Sequence, residues 1–246
     1  SHGHNPQNSF LLNAYGEALL LANGYRDLHG SKFHYEFVHS TRAQNAVLVD
    51  GEGQLPHSVH STGRIVREQF TPEFDYVAGD GTVAYGKRLQ KAWRHVVFIK
   101  GAHPYIVLYD ELVAPQPATY QFMLHAPAAF AIDETAARLR VTQPKAGLEV
   151  AYLSPVPLRF VQTDGFKPAP TREFPNIWHA EAGTTEKRDK LGMVTVLVPN
   201  RGGAAVEWQA GRSDGRDATT VEVTVDGKKH TVRFPAPGGE QPVQVR

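Results

Sequence analysis

Cysteine is missing from all 246 residues, so disulfides, thiolate nucleophiles and cysteine-held metals are excluded together. Without cysteine usage to read, the redox compartment stays open. Charge of one dominant sign is missing too. Lys and Arg number 26 against 25 Asp and Glu, a formal net charge of +1, which leaves no basic footprint for a nucleic acid. No apolar run approaches the roughly 18 residues of a membrane helix, so no membrane span is expected. The G-x-S-x-G elbow, the Walker loop, the dinucleotide fingerprint and H-E-x-x-H are all absent. Helical periodicity is scarce, because 22 Gly and 17 Pro interrupt most windows of the chain.

What is present is strand. Phe10–Tyr15 and Ala18–Leu21 flank Gly16-Glu17 as a hairpin, and Ala46–Val49 is a short apolar run stopped by Asp50-Gly51. His95–Lys100 and Tyr105–Asp110 pair around Gly101-Ala102-His103-Pro104. Thr119–His125, Ala137–Thr142, Leu148–Leu153, Leu158–Thr163 and Gly192–Pro199 continue the style. Thr220–Val225 and Lys229–Phe234 alternate in period two around Asp226-Gly227, which fixes their register. Thr82–Lys100 also reads as strand-like runs. The expectation is an all-β chain: one large antiparallel β-sandwich over residues 1–246 with few or no helices, and long loops over 22–45, 50–80 and 164–190. Trp93, Trp178 and Trp208 are scattered and default to the core.

Histidine is where chemistry gathers. Seven of the twelve fall within the first 60 residues: His2, His4, His29, His34, His39, His57 and His60. In an extended segment His2 and His4 project to one side, and imidazoles titrate near neutral pH. They are either acid, base or metal ligands, or solvated loop histidines. Zinc takes three protein ligands and water in a catalytic site, and an H-x-H pair supplies two. Tyr25, at the mouth of the first hairpin, is either a phenol near a substrate or a cover for the hairpin end. Arg42 lies beside His39 and is suited to clamp a carboxylate, and His34 and Tyr35 share its loop. Asp50-Gly51-Glu52-Gly53 has turn chemistry and lacks the further acids of a calcium loop. His95 and His125 fall inside strands and read as satisfied core residues.

The ordered set H-x-H-x-x-Q-N-S-F from His2, then Asn23-Gly24-Tyr25, then Asn45-Ala46-Val47-Leu48-Val49-Asp50-Gly51-Glu52-Gly53-Gln54, resembles the C-terminal β-sandwich region of the heparinase II/III-like polysaccharide lyases. Arg94–Lys100, Tyr105–Leu112 and Phe122–His125 are similar to later strands of that family, so the resemblance covers most of residues 1–126. It implies a piece excised from a longer chain, whose upstream α/α-toroid faces this sandwich across a cleft. It also implies β-elimination on uronic-acid-containing glycans of the glycosaminoglycan or alginate type, in the periplasm or outside the cell. His2 maps onto the cleft histidine, expected to be catalytic by binding or neutralising the uronate. Tyr25, His34 and Arg42 would bind substrate along the cleft wall. His4 maps onto a histidine that binds zinc in several members.

Zinc-binding relatives add an Asp at the end of the second strand and a His just before the third-strand Asn. Those places hold Ala22 and Gln44, so the expected ligand set is incomplete unless His29, His34 or His39 swings in as a replacement. Asn5-Pro6 also replaces the Ala-Asp of many relatives, removing a carboxylate that orients a ligand. The alternative is a noncatalytic scaffolding or glycan-binding sandwich module that has lost the chemistry.

Overall fold

The computed structural model describes residues 4–22, 27–202, 206–239 and 241–246. Strands β1 (Leu12–Ala14) and β2 (Glu17–Leu20) form the first hairpin, and β3 (Val47–Val49) follows after two helical turns, Phe33–Val38 and Thr41–Ala43. Then come β4 (Arg64–Phe70), β5 (Phe74–Asp80), β6 (Lys91–Ile99), β7 (Tyr105–Ala118) and β8 (Tyr120–Ala126). Next are β9 (Ala131–Asp133), β10 (Arg138–Thr142), β11 (Ala146–Leu153), β12 (Leu158–Asp164), β13 (Trp178–Thr184) and β14 (Arg188–Arg201). The last four are β15 (Trp208–Asp214), β16 (Ala218–Val225), β17 (Lys228–Pro235) and β18 (Gln244–Val245).

Three antiparallel sheets stack around two cores. The front sheet has order β12-β13-β8-β3, the middle one β4-β5-β6-β7-β14-β11-β10-β9, and the back one β15-β16-β17-β18. Strand alternation explains the stacking. On β7, Ile106, Leu108 and Leu112 join Phe122, Leu124, Ala180 and Ala182 of the front sheet in one core. The intervening Tyr105, Val107 and Tyr109 turn the other way and meet Val221, Val223, Val232 and Phe234 of the back sheet. A strand buried on both faces reads as a continuous apolar run, and Leu191–Pro199 of β14 is buried throughout. The all-β antiparallel sandwich expected from the sequence is therefore the observed fold.

Several local expectations are corrected. The first hairpin turns at Tyr15-Gly16, both with positive φ (54° and 81°), and Glu17 already pairs with Ala14, so the turn sits one residue earlier. The supposed loop 50–80 contains β4 and β5. An edge strand exposed on both faces, as Arg64–Phe70 is, shows no apolar alternation to read. The supposed loop 164–190 contains β13, whose fully apolar buried residues facing the core are the small Ala180 and Ala182, flanked by half-buried Trp178 and buried Thr184. Residues Thr82–Arg88, expected as strand, form a helical turn broken at Gly86. Of the three tryptophans, half-buried Trp178 and Trp208 pack against the edges of the two cores, while Trp93 joins neither and lies under Lys91 at 4.3 Å. Asp50-Gly51 is the turn expected, with Asp50 Oδ1 accepting from the N–H and hydroxyl of Thr119. His95 is buried on β6 between Tyr76 and Glu111, a satisfied core histidine as read.

Candidate functional site

Side-chain amides, not strand pairing, hold the N-terminal strip across the sandwich. Gln7 N–H donates to Gln54 Oε1 (3.1 Å), and Gln54 Nε2 donates back to the Gln7 carbonyl (2.8 Å). Asn8 Nδ2 donates to Ala92 O at 3.0 Å. Asn45 is fully buried; its Nδ2 donates to the carbonyls of Phe10 (2.7 Å) and Leu21 (3.2 Å), and its Oδ1 accepts from the His125 N–H. Beneath them the Arg94 guanidinium forks onto Asp110 at 2.7 and 3.0 Å and gives Nη1 to the carbonyls of Asn8 and Asn45, each at 2.6 Å. Burial disfavours that cation, but Asp110 holds it charged.

This stitching brings His4 against the loop that follows β2. The His4 Nδ1–H donates to Val38 O at 3.0 Å, which leaves Nε2 as the acceptor nitrogen. Its ring stacks on His39 with centroids 4.7 Å apart. His39 Nε2 faces His34 Nε2 at 3.1 Å, and the rings of His29 and His57 lie 5.0 Å from His34 and His39 respectively. Tyr35, half exposed, touches all four of those later histidines. His34 is buried, and burial followed by the neighbouring imidazoles of His29 and His4 lowers its pKa. It backs the rim without opening onto it. The sequence offered His29, His34 and His39 as neighbours of His4 but gave no reason to add His57, and the wide turn over Phe33–Val38 sets the spacing of His34 and His39.

Arg42 stands between two hollows. One, of about 460 Å³, is lined by Asn5, Tyr35, His39, Glu52 and Arg88 as well as Arg42. The other, of about 630 Å³, lies on the outer face of the front sheet, with Phe37, Lys167, Asp164, His179 and Glu181 around it. The guanidinium is half exposed, donating to Glu181 Oε2 at 3.5 Å and to Gly51 O at 3.1 Å. A cation so loosely paired can turn to a carboxylate ligand. Behind the second hollow His125, fully buried, has its pKa pushed by burial down to about 3, and burial lowers His179 as well. A cap of two loops covers this region. Phe33, Phe37, Phe166 and Phe174 form its small core, and Asp27 latches it by accepting from Ser31 Oγ and from the N–H and hydroxyl of Thr171.

His2 and Tyr25, the other residues singled out from sequence, lie outside the described residues. The zinc positions do not fit a zinc ion. Ala22 has no donor, and Gln44 is buried with its backbone carbonyl accepting from His125 Nε2. Among the described residues no three of His, Asp or Glu converge as a metal would need.

The sandwich aligns with solved heparinase III structures. A heparinase III gene product superposes with a TM-score of 0.76 at 14% identity, over 96% of this chain and 37% of that one. A heparan sulfate lyase, HepC from Pedobacter heparinus, gives 0.76 at 15% identity, over 98% and 38%. This chain thus spans little more than a third of the length of those proteins, and at such identity the likeness speaks for fold. No match is found among curated proteins. The model described as "Heparinase II/III-like, C-terminal" matches residues 1–235, so almost the whole stitched sandwich, amide clasps and histidine rim included, belongs to the heparinase II/III-like C-terminal family.

Proposed function

We propose that this chain is the β-sandwich part of a polysaccharide lyase that cleaves a uronic-acid-containing glycan, of the glycosaminoglycan or alginate type, by β-elimination. An upstream α/α-toroid of the same protein completes the cleft, and the enzyme works in the periplasm or outside the cell, where such polymers are met. In this reaction a base removes the proton beside the uronate carboxylate. The electron pair forms the new double bond, and the glycosidic C–O bond breaks as an acid protonates the departing oxygen. Cationic groups at the carboxylate favour the charge that builds there.

The observation that carries the reading is the rim itself: Arg42 between two hollows, with His4 drawn onto the imidazole cluster beside it. Arg42 would take the uronate carboxylate, His2 would help neutralise it, and Tyr25 would line the wall toward the toroid. His4 Nε2 supplies an acceptor at the same edge. The sandwich alone is expected to be inactive, since the toroid supplies the rest of the cleft. The poor fit of Ala22 and Gln44 to zinc favours a second reading, a noncatalytic glycan-binding module.

Assay of the full-length protein on a panel of uronate polymers separates the two, because elimination leaves an unsaturated product whose ultraviolet absorbance rises. Arg42→Ala is expected to raise KM by roughly tenfold with a smaller change in kcat. Glycan binding with no rise in absorbance on any polymer would establish the module instead.

A further inference from the structure

Two histidines on neighbouring front-sheet strands stand in a chain of contacts between two carbonyls. His125 Nε2 meets Gln44 O at 3.2 Å, the two Nδ1 atoms meet at 2.9 Å, and His179 Nε2 meets Gly165 O at 2.5 Å. Carbonyl oxygens only accept, so both Nε2 atoms carry hydrogen. A neutral imidazole carries one hydrogen. Two neutral rings would therefore aim bare Nδ1 lone pairs at each other across 2.9 Å, where a normal hydrogen bond belongs. A third proton between the rings makes all three of these contacts hydrogen bonds at once.

We propose that His125 and His179 share one added proton, and that the pair makes the adjoining hollow a binding site for an anionic group, a carboxylate or a sulfate ester. The charges around that hollow decide the point. The turn over Thr41–Ala43 contributes Arg42, the loop beyond β12 contributes Lys167, β12 contributes Asp164 and β13 contributes Glu181; β8 presents Met123 and the wide turn Phe37, neither charged. Arg42 is paired with Glu181, and Asp164 Oδ2 accepts from Asn176 Nδ2. Lys167 has no ion pair among the described residues. Two cations therefore face two carboxylates, and the sign of the hollow rests on the imidazole pair. Charged, the pair tips it positive, with Lys167 ready to meet the ligand. Burial on both rings places proton uptake on the acid side of the ordinary histidine value near 6.5. It also admits only one, because two touching imidazoliums repel. Since His125 is the more deeply buried, the charge resides mainly on His179, next to Asp164 and Gly165 O.

The test uses the 246-residue chain with nitrogen-labelled histidine, followed by NMR from about pH 7.5 down to about pH 5. At the acid end the two rings should together show three ring N–H protons, one of them strongly deshielded. Inorganic sulfate and free glucuronate serve as separate probes. At least one should shift the signals of His179 and Lys167, and bind about tenfold more tightly at the acid end. His179→Gln keeps a donor and an acceptor but cannot take the proton, and should abolish that pH dependence. Lys167→Ala, on the surface, should weaken binding by roughly tenfold whether or not the first variant folds. Two ring protons at the acid end would overturn the shared proton. A protonated pair with no response at His179 or Lys167 to either probe would overturn the anion site. No turnover is measured, so the outcome is independent of the lyase reading.

Discussion

Arg94 is fully desolvated, yet its five donors are nearly all spent on oxygens that nothing else could satisfy at once. The carboxylate of Asp110 and the carbonyls of Asn8 and Asn45 come from three separate parts of the chain. Removing the guanidinium would leave Asp110 buried without its counter-ion. Arg94→Ala is therefore expected to cost about 3–5 kcal/mol in urea unfolding. A loss under about 1 kcal/mol would mean that water reaches the site. Arg42 is the contrast. Half exposed and loosely paired, its removal should leave the unfolding curve within about 0.5 kcal/mol of the original. Residue identity alone could not separate these two arginines. Arg94 lies in a strand-like run and Arg42 in a loop, but the fork onto Asp110 needs the β6–β7 register to be seen. The motif Gln7-Asn8, Asn45 and Gln54 was legible as an ordered set. Its role was not: these side chains are the stitches of the strip, and only Gln54, whose amide is spent on Gln7, borders one of the two hollows.

At the scale of elements, the strands that could be read were those buried on one or both faces. β7, β8, β11, β14, β16 and β17 carry apolar residues at strand spacing, and the paired Asp226-Gly227 turn sets the last hairpin's register. Those that escaped reading were the exposed edge strand β4 and its neighbour β5, the short β9 and β18, β13 and β15, and the wide turn at Phe33–Val38. The candidate site suffered most from this, since that turn sets the spacing of its His34 and His39. The two-loop cap is held by its small phenylalanine core together with the Asp27 latch. Burial works against the Asp27 charge, but hydrogen bonds from Thr171 and Ser31 hold its carboxyl well below the usual carboxylate range. Asp27→Ala should free the loop around Thr171. Amide hydrogen exchange there should quicken at least tenfold, with β8, β13 and β14 unchanged. Uniform quickening through those strands would show the latch to be part of the global fold instead.

For the molecule as a whole, three stacked sheets place a charged network in an otherwise apolar second core. Glu111 is fully buried; Lys91 lies 2.7 Å from one of its oxygens, His95 3.3 Å from the other, and the Gly238 N–H donates to it at 2.6 Å. Lys91 also donates to Gly239 O, so these groups fasten the back sheet's last loop to the middle sheet. Burial opposes the Glu111 charge, but the bonds from His95, Lys91 and Gly238 hold its pKa below the ordinary glutamate value. A carboxyl depressed in the folded state stabilises it fully above the unfolded value, near 4.3. That contribution fades as pH falls from there through the lower folded value. Back-sheet fluorescence from Trp208 should accordingly change below about pH 4.3, with Glu111→Gln weaker at neutral pH and flatter in this acid range. An acid transition unaltered by that variant would place the titrating group elsewhere.

The strip before β1 also has a mechanical meaning. Because Asn8 and Asn45 hang from the same guanidinium, a tug on residues 5–10 is carried inward to Asp110 on β7 and sideways to the strand that holds His125. Any neighbour that grips this strip therefore holds a handle on the centre of the sandwich, and a shift at the handle reaches the Arg42 rim without crossing solvent.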